Sequence, residues 1–171
     1  LGGAVAVEAA HRLGKDAAGL ILTCAASPRY VQAADFPYGG VREDVLGMQD
    51  AILADRAGFF KGLSAGVCAK DVGQPAIDWM WSIFMDAGPQ AIKAMLALAD
   101  LDQRSILAGL DIPVLSIIGS EDGVVPPQIG EQAAACAQHG KLARFEGCGH
   151  APFIEDGPGY IKTLLEFAQD V

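Results

Sequence analysis

The chain has 171 residues, 51% of them hydrophobic and 19% charged, with 12 Lys and Arg against 21 Asp and Glu for a net charge of −9. That length suits one domain with a sizeable core, and the scattered Gly and Pro exclude a low-complexity or disordered chain. Net charge is 0 over residues 1–26, −4 over 27–111 and −5 over 112–171, so no segment is basic and neither nucleic acid nor a polybasic membrane contact is expected.

In chain order, Leu1-Gly2-Gly3 opens into an Ala-rich helix that runs to Gly14 as a C-terminal stop. This helix is apolar on nearly every side up to Ala10, which predicts burial between other elements, with Glu8 and Arg12 as an i,i+4 surface pair. Gly19–Ala25 is a short continuous apolar run, the pattern of a strand buried on both faces, and Ser27-Pro28 ends it. Residues 29–107 change texture: a loop-like Arg29–Gly40, then helical stretches at about 42–65, 74–86 and 88–99 and a turn near 102–108, with no strand signal. Helices inserted between two strands predict a lid over a core. Ile112–Ile118 is a second buried strand, Gly119–Gly123 a turn, Pro126-Pro127 the opening of a helix to about Gln138, and Lys141–Phe145 a third strand. Glu146–Phe153 is a loop, and an amphipathic helix over about 158–169 closes the chain. Strands separated by helices imply crossovers and a parallel sheet. Three strands make a poor sheet, so further strands are expected to neighbour them.

No apolar run approaches the about 20 residues that a membrane span needs. Cys24, Cys68, Cys136 and Cys148 show no CxxC pair and no His at ligand spacing, so free thiols, no metal and a cytoplasmic location are expected.

Ligands of an open parallel sheet gather outside the carboxyl ends of its strands. Asp122 follows one strand end and His150 another, so the carboxylate can accept from one imidazole nitrogen, fix the tautomer and stabilise the imidazolium. Such a base needs a nucleophile. Leu1-Gly2 matches the last two positions of a G-x-S-x-G nucleophile elbow, and the order nucleophile, acid, histidine then places the nucleophile immediately before Leu1. Glu121 is the competing acid, one residue off the motif position. Cys148 lies on the wrong loop for an elbow and is expected to be a small buried filler.

Leu1-Gly2-Gly3, Gly119–Pro126 and Gly149–Glu155 together resemble the C-terminal two-thirds of an α/β-hydrolase-fold serine hydrolase. Ala54–Leu63 and Trp79-Met80-Trp81 are similar to the cofactor-free haloperoxidase/arylesterase branch. The resemblance implies an α/β fold with a mostly parallel sheet and helices on both faces: residues 1–27 as core, 28–108 as helical cap and 109–171 as core again. It implies Asp122 as triad acid, His150 as general base and the Leu1 N–H as an oxyanion-hole donor, with no metal or organic cofactor. Trp79, Trp81, Phe84 and Met85 are expected to contact substrate beneath the cap.

The expected reaction is cleavage of a small-molecule carboxylic ester, thioester or lactone through an acyl-enzyme. The partner is an N-terminal segment or separate chain that carries the nucleophile and the remaining strands, on the order of 100 residues at ordinary element lengths. An Asp nucleophile would instead give a dehalogenase or epoxide hydrolase and a Cys a dienelactone-type hydrolase; peroxide in place of water would give a perhydrolase. A non-catalytic binding module on the same scaffold is the reading from another class.

Overall fold

The computed structural model describes residues 1–171. Three strands, β1 (Leu20–Thr23), β2 (Val114–Gly119) and β3 (Gly140–Phe145), form a parallel sheet in the order β1-β2-β3. Register pairs Leu20 with Val114 and Val114 with Gly140, so all three carboxyl ends emerge on one edge. Only the central strand matches the pattern of two-face burial: every residue of β2 is buried, whereas Ile21 of β1 is 37% exposed and β3 is largely exposed. The difference follows from position, since β2 alone has a strand on each side.

Helix α1 (Gly2–Leu13) ends at Gly14, whose φ of 54° is of the left-handed kind that favours glycine. It buries Val7 and Ala10 against the sheet and Ala4 in the cluster around Phe36, and Val5 is 60% exposed. Within residues 1–171 the sheet covers one face of this helix. Glu8 does not pair with Arg12. Its carboxylate accepts from Gln103, whose amide also donates to the Ala4 carbonyl and whose oxygen accepts from Ser27 at 2.8 Å. Gln103 is fully buried with these groups satisfied, and it ties α1 to both the exit from β1 and the return into β2.

Between β1 and β2 lie α2 (Arg42–Ala54), α3 (Arg56–Gly66), α4 (Gln74–Met85), α5 (Pro89–Met95), a 3₁₀ turn at Leu96–Ala99 and α6 (Arg104–Gly109). The single helix expected over 42–65 is two. The chain breaks at Asp55, whose extended backbone lets its carboxylate accept from the Gly58 N–H at 2.8 Å and cap α3. After β2 come α7 (Pro127–Cys136), then past β3 the short α8 (Pro152–Glu155) and α9 (Gly157–Gln169). The main core joins Val7, Leu20, Leu22, Leu107 and Val114, and a second cluster around Phe36, Val45, Leu98 and Ile129 seats the inserted helices. No helix is long and apolar enough to cross a membrane.

Candidate active site

The carboxyl ends of β2 and β3 launch the two loops that carry Asp122 and His150. Close backbone approach fixes how these loops meet. Gly119 ends β2 with room for no side chain, because a Cβ there would lie 2.0 Å from the Gly149 carbonyl oxygen. Across this junction the Glu121 N–H donates to the Cys148 carbonyl at 2.9 Å and the Ser120 hydroxyl accepts from the Gly147 N–H at 2.8 Å. The Asp122 loop and the His150 loop are therefore laced together by a backbone bond and by the Ser120 hydroxyl.

Asp122 Oδ2 lies 2.8 Å from His150 Nδ1, and the Asp122 side chain is 1% exposed against 29% for His150. Its other oxygen, Oδ1, accepts from the Val124 N–H at 2.8 Å and the Val125 N–H at 2.9 Å. With a carboxylate facing it, Nδ1 carries the proton and donates, and Nε2 is left as the basic nitrogen. A buried carboxylate needs such partners, and three donors cover it. Glu121, the competing acid, is exposed and contacts neither ring nitrogen.

His150 lines a cavity of about 370 Å³. Leu1 and Cys24 stand beside it, Gly123, Val124 and Val125 supply the acid-loop wall, and Tyr30 and Ala26 follow from the exit of β1. The helices inserted between β1 and β2 supply Met48 from α2, Met95 and Leu98 from α5 and its 3₁₀ turn, and Phe59, Gly62, Leu63 and Gly66 from α3. Those four α3 residues recur at i, i+3, i+4 and i+7, one helix face. No Asp, Glu, Lys or Arg lines the cavity.

Trp79, Trp81, Phe84 and Met85 do not line it. Helix α4 packs on α3, which stands between it and the cavity. Trp79 is 56% exposed, Trp81 donates from its ring N–H to the Ala57 carbonyl, and Phe84 packs on Phe60 and Met80. Met85 offers its carbonyl to Arg56. The aromatic spacing on α4 serves a helix–helix seam.

Cys24 is the neighbour that sequence reasoning passed over. It ends β1 with φ 46°, an unusual backbone for a side chain other than Asn or Asp, and its Sγ lies with ligand atoms of Asp122 and His150 inside a 4.8 Å cluster. These are metal-ligating types, yet Nδ1 and Oδ2 are committed to each other. Burial, reinforced by the Asp122 carboxylate, pushes the Cys24 thiol up to about 12, so it is neither a ready ligand nor a nucleophile near neutrality. The signal was its place at a strand's carboxyl end. Cys148 is buried beside Phe145 and Phe167, as a filler should be, and all four cysteines are free.

The sequence profile of the alpha/beta hydrolase family matches residues 1–162. A pimeloyl-[acyl-carrier protein] methyl ester esterase of Aromatoleum aromaticum is 33% identical over 176 residues, 97% of this chain and 70% of that protein. An AB hydrolase superfamily protein of Bacillus subtilis, YisY, is 28% identical over 98% of this chain, which spans 63% of its length. Among solved structures, an esterase from Exiguobacterium antarcticum superimposes with a TM-score of 0.92 at 27% identity, over 98% of this chain and 63% of that one. A bromoperoxidase from Bacillus anthracis shares the fold, with a TM-score of 0.80 at 22% identity over 88% of this chain and 58% of that one.

Proposed function

The chain belongs to the alpha/beta hydrolase family, and on that premise we propose that it carries the acid, the base and most of the substrate cavity of a serine hydrolase acting on carboxylic esters. The observation that carries this reading is the 2.8 Å contact between Asp122 and His150 on the wall of an apolar cavity that Leu1 also lines. The nucleophile in this reading is a serine immediately N-terminal to Leu1, on a segment or separate chain that completes the sheet. The relatives with the word esterase in their names support the ester bond as the shared chemistry.

His150 Nε2 takes the serine proton as the hydroxyl attacks the ester carbonyl, and Asp122 holds the ring and offsets the imidazolium charge. The Leu1 N–H, at the start of α1, donates to the tetrahedral oxyanion, where one such donor is worth about 3–4 kcal/mol. His150 then protonates the leaving alcohol and activates water against the acyl-enzyme. The reaction so described uses no metal or organic cofactor.

The cavity sets the substrate class. At about 370 Å³ it falls at the small end of ligand pockets, which run from about 300 to 1,000 Å³. A charged acyl group would be desolvated there with no cation to meet it, which is costly. The preferred substrate is therefore a small ester with an uncharged, apolar acyl group.

The test is turnover of p-nitrophenyl acetate, butyrate and octanoate by the full-length protein, with a fluorophosphonate probe in parallel. Multiple turnovers and a stoichiometric adduct on a serine support the reading. Turnover without serine labelling would point to an Asp nucleophile, and labelling without turnover to a binding module; either result would overturn it.

A further inference from the structure

We propose that Glu155 is a positioning residue: its carboxylate locks the histidine loop onto the segment that follows α3 in the lid and so sets where the base sits. This rests on the reading of His150 as general base. Glu155 closes α8 and takes three backbone donors from two separate segments. Oε1 accepts from the N–H groups of Ala69 at 2.8 Å and Lys70 at 2.9 Å, just beyond α3; Oε2 accepts from the N–H of Gly149 at 2.8 Å, next to the base. None of these three N–H groups has a backbone acceptor. Charge-assisted bonds of this kind are the stronger sort, and three on one carboxylate fix its orientation.

Two further observations make the junction a tight seam. The His150 N–H donates to the Val67 carbonyl at 2.7 Å. A Cβ on Gly149 would lie 2.7 Å from both the Ala69 nitrogen and the Val67 oxygen, so only glycine lets the two backbones lie this close.

The consequence is mechanical coupling. Segment 67–70 continues directly from α3, whose Phe59, Gly62, Leu63 and Gly66 form the cavity wall. With Glu155 in place, lid wall and base move as one body, and a substrate that seats against α3 holds His150 in register with the ester.

The experiment compares the full-length wild type with Glu155→Ala, Glu155→Gln and Asp156→Ala. The Asp156 carboxylate caps α9 through the Gly159 N–H and accepts no hydrogen bond from segment 67–70 or from Gly149, so Asp156→Ala is the stability control. Rates with p-nitrophenyl butyrate and melting temperatures are measured for each. Glu155→Ala should lose about ten-fold or more in kcat with KM within about three-fold, the signature of a displaced catalytic group. Glu155→Gln keeps one acceptor oxygen and should recover part of kcat, while Asp156→Ala should melt lower yet keep the wild-type kcat. Wild-type kcat in Glu155→Ala would overturn the proposal, and so would activity losses that track melting temperature across the set. If Glu155→Ala does not fold, the kcat and KM of Glu155→Gln decide. A second readout needs no turnover: the low-field proton resonance of the His150 Nδ1–H should shift or broaden in Glu155→Gln and stay put in Asp156→Ala. An inactive wild type would sink the esterase reading, and this resonance would still decide the clamp, an unchanged signal overturning it.

Discussion

Replacing Asp122 by Asn swaps one oxygen for an NH₂ group, and the surrounding backbone dictates which one. Oδ1 accepts from the N–H groups of Val124 and Val125 at 2.8 and 2.9 Å. Turning the amide NH₂ toward them would set donor against donor and leave two buried groups unsatisfied, at about 1–3 kcal/mol each. The amide oxygen therefore keeps the Oδ1 place and the NH₂ faces His150 Nδ1, which must then accept. The ring proton is forced onto Nε2, and the nitrogen that should take the serine proton already carries one. A misplaced tautomer of this kind costs about 10⁴ in kcat in a comparable triad, equivalent to about 5.4 kcal/mol of transition-state stabilisation. Initial rates with p-nitrophenyl butyrate between pH 6 and 9 should show that loss in Asp122→Asn, while near-equal side-chain volume keeps the melting temperature close to wild type. If the variant folds like wild type and keeps more than about a tenth of kcat, Asp122 does not set the tautomer and the triad assignment falls.

Leu63 lines the cavity from α3, so Leu63→Phe should cut kcat/KM for the octanoate ester relative to the acetate by about ten-fold, the scale of one or two methylene contacts; an unchanged ratio would place the acyl chain elsewhere. Gly149→Ala should force the seam apart, since its Cβ would lie 2.7 Å from backbone, and should destabilise by about 1–3 kcal/mol in urea unfolding. Cys24 predicts a pH dependence of stability. Its thiol titrates near 12 when folded against 9.0 when exposed, so above pH 9 the folded state holds a proton that the unfolded state has shed. The unfolded state then binds fewer protons, and stability declines as pH rises from 9 toward 12. Wild type should therefore lose more between pH 8 and 10 than Cys24→Ala does, and parallel losses would show that Cys24 is not the group responsible.

Much of the fold was legible in the sequence because it depends on local chemistry. The strand runs, Gly14 as a helix stop and the Pro126-Pro127 helix start are each set by neighbouring residues. The break at Asp55 was locally readable too, as an Asp three residues ahead of Gly58, but apolar periodicity on both sides masked it. Burial was less legible: continuous apolar runs predicted two-sided burial for β1 and β2, and within residues 1–171 only β2 shows it, since burial depends on what packs around a strand and not on its composition.

The same division runs through the site. By itself the sequence singled out Asp122 and His150 as a candidate pair, because a motif's order and its place after a strand are chain-local facts, and the structure brings the two within 2.8 Å. Only the tertiary structure decided what surrounds them. Cys24 reaches Asp122 and His150 from a different strand end, and Glu155 bridges to Ala69 and Lys70 far up the chain. The cavity wall fell to the Phe59–Gly66 face of α3, and the Trp79 and Trp81 helix was relegated to an outer layer. An amphipathic helix announces that it has a buried face but not which neighbour meets it. That choice is made by packing among elements distant in sequence, and the cavity is built from those choices.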